Sequence, residues 1–250
     1  VLIPTTAGTG SEVTPIAVLS DKNEHLKKGI VSRHLYAGAA LVDPELALGL
    51  PGYITAFTGI DALIHAIEAY TNKHAQPFID TFALEAVRLI AENLLMAVHE
   101  NTPESRYNMA LASLYGGMCL GSVNTAAVHA LAYPLGGTFN VPHGVANSLL
   151  LPYVMEFNMS SNIQKYAKIA HMLGATEYGM PAEEAARLSV GAVKKLCSEA
   201  GVKTRMRELD IPEASIGDMA QAAFQVKRLL DNNPVALSVE DIGKIYKAAY

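Results

Sequence analysis

Two patterns of apolar and polar positions divide the chain. Over residues 1–50 the apolar positions come in short runs stopped by turn formers. Ala17-Val18-Leu19 runs into Ser20-Asp21-Lys22-Asn23, and Ala39-Ala40-Leu41-Val42 into Asp43-Pro44. Short bounded runs of this kind predict strands or segments flanking loops. From about residue 51 the spacing changes. Ile79, Phe82, Ala86, Val87, Ile90, Leu94 and Val98 recur every three or four residues, which is the stripe of one helix face. Thr102-Pro103-Glu104 has the form of an N-cap, a proline at the first helical position and an acid in the first turn. Further helices are expected from Asn162 to Gly174 and from Pro181 to Gly201, each ended by its glycine. Ser238-Val239-Glu240-Asp241 opens a last helix as a capping box, with Asp in the usual place of Glu or Gln. The expected fold is therefore mainly α, with a strand-containing part at 1–50 and an all-helical part at 51–250.

Composition narrows the function. With 250 residues and 50% hydrophobic content, the chain can bury a sizeable core, and 17% charged residues is too few for a disordered tail. A net charge of −5 argues against a nucleic-acid partner, because phosphate binding needs a basic face. No apolar run is long enough to predict a membrane span. Cys119 and Cys197 lie far apart, outside any CxxC spacing, and suggest buried thiols in a reduced, cytoplasmic compartment. The chain opens on Val1, its first methionine is Met96, and no signal peptide is visible. Val1 is therefore expected not to be a natural start. The small and hydroxyl-bearing stretch Thr5-Thr6-Ala7-Gly8-Thr9-Gly10-Ser11 is a loop that lets a ligand approach the backbone.

Candidate chemistry gathers in two places. Asp61 and His65 stand one turn apart on a predicted helix amid apolar residues. A carboxylate and an imidazole there need a partner: a divalent metal, or simply each other in a hydrogen bond. His129 is expected to close a helix running from Ser122, since Pro134 should not continue it; Gly136-Gly137 would then turn the chain and Pro142-His143-Gly144 open the next helix. Either histidine alone is more simply a hydrogen-bonded core residue. Together the four offer one oxygen and three nitrogens, a set suited to Fe(II) or Zn(II) rather than to Mg or Ca. His25, His34, His99 and His171 stand in polar contexts and are expected to be solvated.

The segments Pro4-Thr5-Thr6-Ala7-Gly8-Thr9-Gly10-Ser11-Glu12-Val13-Thr14, Asp61 to His65, His129 to Gly136 and Pro142-His143-Gly144-Val145-Ala146-Asn147 resemble those of the iron-containing (type III) alcohol dehydrogenases. The resemblance covers essentially the whole chain. It implies that Asp61, His65, His129 and His143 bind Fe(2+), or Zn(2+) in its place. It further implies that Thr5, Thr6 and Thr14 line a site for NAD or NADP, with Lys28 and Leu46 nearby. Residues 1–50 would be the C-terminal remnant of an α/β dinucleotide-binding domain whose glycine-rich pyrophosphate loop lies upstream, and 51–250 a helical metal-binding catalytic domain. The implied reaction is hydride transfer between the dinucleotide and a small alcohol or aldehyde, and the implied assembly a homodimer. Many members carry histidine four residues after the third ligand, where this chain has Tyr133. A phenol ordinarily titrates near 10 and an imidazole near 6.5, so Tyr133 is a weaker candidate for a proton relay. Two other readings compete: a sugar-phosphate cyclase like the dehydroquinate synthases, and a helical metal-binding module without catalysis. The first needs basic residues near the metal. Lys73 is the nearest in sequence, which favours a small neutral or weakly polar substrate.

Overall fold

The computed structural model describes residues 1–21 and 26–250. Ile16–Asp21 (β1) and Leu26–Val31 (β2) pair antiparallel, with Ile16 opposite Val31 and Leu19 opposite Lys28. The apolar run at 39–42 forms no strand; Ala40 makes a single parallel bridge to Leu2. The remainder is helical: α1 (Gly52–Thr71), α2 (Pro77–His99), α3 (Pro103–Ser122), α4 (Ala127–Phe139), α5 (His143–Asn158), α6 (Ile163–Met172), α7 (Ala182–Glu199), α8 (Ile216–Phe224), α9 (Lys227–Leu230) and α10 (Val239–Ala249). None of the helices is long and apolar enough to cross a membrane among the described residues.

The predicted caps hold. Thr102 accepts from Ser105 N and Asn162 from Lys165 N, while Ser238 and Asp241 close a reciprocal box. Gly174 and Gly201 take the positive φ of helix stops.

α1 is the centre of the packing. Every residue from Gly59 to Thr71 is buried, so the helix is covered all round by α2, α3 and α5. Its N-terminus is tied down by Arg106 of α3. This guanidinium is 2% exposed and donates to Asn101 Oδ1 at 2.5 Å, Thr55 Oγ1 at 2.6 Å and the Leu50 carbonyl at 3.1 Å. The N-terminal loop lies backbone to backbone on α3: a Cβ on Gly117 would overlap the Gly10 carbonyl.

One expectation fails around residue 124. No helix runs from Ser122 to His129. α3 ends at Ser122, the chain breaks at Asn124 with φ +76, and α4 starts afresh at Ala127. Asn72 holds that break by donating to the Val123 and Asn124 carbonyls. His129 therefore stands in the first turn of a helix, not the last. Pro134 lies inside α4, leaving the Ala130 carbonyl without its helical donor. Burial of Ala127–Ala132 and Leu135 offsets this loss. Gly136-Gly137 stays helical, and the turn comes at Asn140, in the left-handed conformation that Asn tolerates.

Candidate metal centre

α1 presents Asp61, His65 and Glu68 at i, i+4 and i+7, hence on one face, and all three are at most 4% exposed. The first turns of α4 and α5 bring His129 and His143 against that face. α5 can start so close because of Gly144: a Cβ there would lie 2.7 Å from the Phe57 ring.

The donors converge. His65 Nε2 is 3.8 Å from Asp61 Oδ2, and His129 Nε2 and His143 Nε2 are 3.9 and 4.0 Å from Asp61 Oδ1. His65 Nε2 and His129 Nε2 are 3.2 Å apart. Donor atoms of Asp61, His65 and His129 all lie within 4.8 Å of one another, and His143, less buried, completes the ring. Asn147 donates to Asp61 Oδ1 at 2.8 Å and meets His143 Nε2 at 3.1 Å, tying the two together.

The proton positions favour a cation. Glu68 Oε2 is 2.6 Å from His129 Nδ1, which holds the proton on Nδ1 and leaves the Nε2 lone pair facing His65. If His65 is protonated on Nε2, its Nδ1 lone pair is buried without a hydrogen-bond partner. If instead Nδ1 carries the proton, two lone pairs meet at 3.2 Å. A divalent cation between the rings resolves the second case, and one oxygen with three nitrogens suits iron(II) or zinc.

Electrostatics agree. Burial pushes His65 down to about 3, so it is neutral and able to ligate near pH 7. Burial alone would raise Asp61, but three imidazoles and the Asn147 hydrogen bond outweigh it and hold the carboxyl below its ordinary value. His129 is depressed by burial and raised more by the Glu68 carboxylate, making its ring a stronger base.

The four donors open onto a cavity of about 360 Å³, lined also by Thr9, Ser11, Thr14, Leu120, Tyr133 and Arg228. Thr14 and Tyr133, both singled out in the sequence, border this cavity. Thr6 instead lines a separate crevice with Glu12 and Pro44, and Thr5 and Leu46 are exposed and border neither cavity. The Lys28 side chain and His25 lie outside the described residues. His34, His99 and His171 are exposed, as expected, and Lys73 is exposed and absent from the cavity lining. Sequence reasoning missed Glu68, Asn147 and Arg228. The i+7 spacing of Glu68 from Asp61 and the i+4 spacing of Asn147 from His143 could have revealed the first two.

Comparison with known proteins places the chain. The model of the Fe-containing alcohol dehydrogenase family, C-terminal, matches residues 55–250, and that of iron-containing alcohol dehydrogenase matches residues 1–44. The chain is 40% identical to 1,3-propanediol dehydrogenase of Citrobacter freundii over 251 residues, covering 100% of this chain and 65% of that protein. It is 41% identical to long-chain-alcohol dehydrogenase 1 of Geobacillus thermodenitrificans, covering 100% of this chain and 63% of that protein. The crystal structure of a 1,3-propanediol oxidoreductase superposes with a TM-score of 0.96 at 38% identity, covering 99% of this chain and 65% of that one. The chain thus spans just under two thirds of the length of these relatives.

Proposed function

The chain belongs to the iron-containing alcohol dehydrogenase family, and from that premise we propose that it carries the metal centre of an NAD(P)-dependent enzyme interconverting small alcohols and aldehydes or ketones. The observation that carries this reading is the convergence of Asp61, His65, His129 and His143 on one cavity bordered by the hydroxyls of Thr9, Ser11 and Thr14. We assign residues 51–250 to the metal-binding domain and 1–50 to the dinucleotide side.

When bound, iron(II) supplies Lewis-acid polarisation of a substrate oxygen, and a nicotinamide supplies or accepts the hydride. The chain's own residues do the rest. Asp61, His65, His129 and His143 hold the cation. Glu68 keeps the His129 proton on Nδ1, so that Nε2 faces the cavity as a lone pair. Asn147 holds Asp61 and His143 in mutual register. Tyr133, one turn beyond His129, borders the same cavity and can exchange a proton with a group bound there. Thr14 and its neighbouring hydroxyls face the cavity from the dinucleotide side. Leu120 and Ile16 give it an apolar wall, and Val18 lines it while remaining half exposed.

The test is NADH oxidation by small aldehydes in the iron-loaded full-length protein, with Asp61→Ala beside it. Turnover that disappears together with bound iron in the variant supports the reading. Full turnover in a metal-depleted variant overturns it.

A further inference from the structure

Arg228, on α9, is the only cation among the described residues lining the cavity. Its guanidinium rests against bare backbone of β2. A Cβ on Gly29 would lie 3.0 Å from Nη2, so glycine there leaves room for the arginine. It lines the same cavity as Asp61, His65, His129 and His143. The surroundings are neutral: Leu120, Ile16 and Val18 are apolar, and Thr9, Ser11 and Thr125 are hydroxyls. Asp61 is the one carboxylate among the described lining residues, and a divalent cation at the donors would more than offset it.

Both the donor site and Arg228 would then favour an anionic guest. Arg228 is exposed at the cavity edge, and its planar guanidinium presents paired donors that match an oxyanion.

Resting on the oxidoreductase reading above, we propose that Arg228 selects substrates carrying an anionic tail, so that short oxo-acids and hydroxy-acids are preferred over uncharged aldehydes and alcohols. This revises the neutral substrate expected from sequence, where Arg228 stands far from every metal-binding residue. A cofactor phosphate offers the same oxyanion chemistry. The substrate is favoured because Arg228 shares its cavity with the donors at which the carbonyl must react.

The experiment compares 4-oxobutanoate with butanal, which have equal chain lengths, in the iron-loaded full-length protein and its Arg228→Leu and Arg228→Lys variants. The wild type should favour 4-oxobutanoate in kcat/KM by about tenfold or more, the scale of one charge-assisted hydrogen bond. Arg228→Leu should abolish that preference through KM, leave butanal within about threefold, and leave the KM for NADH unchanged; Arg228→Lys should fall between. A loss equal for both aldehydes, or one confined to the KM for NADH, overturns the proposal, the latter assigning Arg228 to a cofactor phosphate. Calorimetric binding of 4-hydroxybutyrate against 1-butanol forms a second arm that needs no turnover. Tighter binding of the acid that vanishes in Arg228→Leu supports the proposal, and equal binding of the two overturns it. Absence of turnover with both aldehydes, alongside a positive binding arm, would fault the oxidoreductase reading and not the anion site.

Discussion

Glu68 and His129 are joined by a hydrogen bond of 2.6 Å to Nδ1, and the other Glu68 oxygen accepts the Val128 amide at the same distance. One buried carboxylate thus satisfies an orphan N–H at the start of α4 and orients the ring next to it. A glutamine keeps the shape but has one accepting oxygen and no charge. Glu68→Gln should weaken iron or zinc binding by about 10–100-fold, with helix content unchanged by circular dichroism. Chelator competition reads the affinity. Unchanged affinity would reduce Glu68 to a helix cap.

Gly144 lets α5 begin against Phe57 and so brings His143 to Asp61. In Gly144→Ala the new methyl would lie 2.7 Å from the Phe57 ring and 3.0 Å from its carbonyl oxygen. α5 must withdraw, carrying His143 with it. We expect a loss of about 1–3 kcal/mol in urea unfolding together with weaker metal binding. Unfolding and metal titrations that match the wild type would contradict this packing.

Arg106 is a structural cation that does not line the cavity. Arg106→Met fills a similar volume but strips partners from Asn101 Oδ1 and the Leu50 carbonyl. The expected destabilisation is about 2–4 kcal/mol, measured by denaturant unfolding, with metal stoichiometry retained in the folded fraction. A variant as stable as the wild type would show that the network is not needed to seat α1.

Cys119 and Cys197 are fully buried, and burial pushes both thiols up to about 12. The thiolate is the reactive form. Iodoacetamide at about pH 8 should therefore label neither cysteine in the native protein and both in guanidinium. Rapid native labelling of either would mean that its helix opens far more readily than its packing implies.

What the sequence made legible was chemistry confined to neighbouring residues. Thr102, Asn162 and Ser238 could be read as caps because each bonds backbone within three residues. Asp61 and His65 were visible because one helical turn puts them on one face, and His143 because Pro142 marks the start of its helix. The failures were long-range. Pro134 reads locally as a helix stop, yet it lies inside α4. In fact α4 is started by the break at Asn124, held by Asn72 of a distant turn, and Glu68 of α1 caps its first residues. Arg228 reaches the cavity only through the packing of α9 on α4, which no local pattern encodes. Thr5 and Leu46 rested on resemblance alone, and here both are exposed away from the cavity.

The measurement that tests the central claim most directly is elemental analysis of the protein purified without chelator, beside His129→Ala. The account predicts about one iron or zinc per chain in the wild type, the load of a single four-donor site, and its loss in the variant with the fold intact. No metal in either preparation, or metal retained by His129→Ala, would contradict the assignment of Asp61, His65, His129 and His143 as one metal centre.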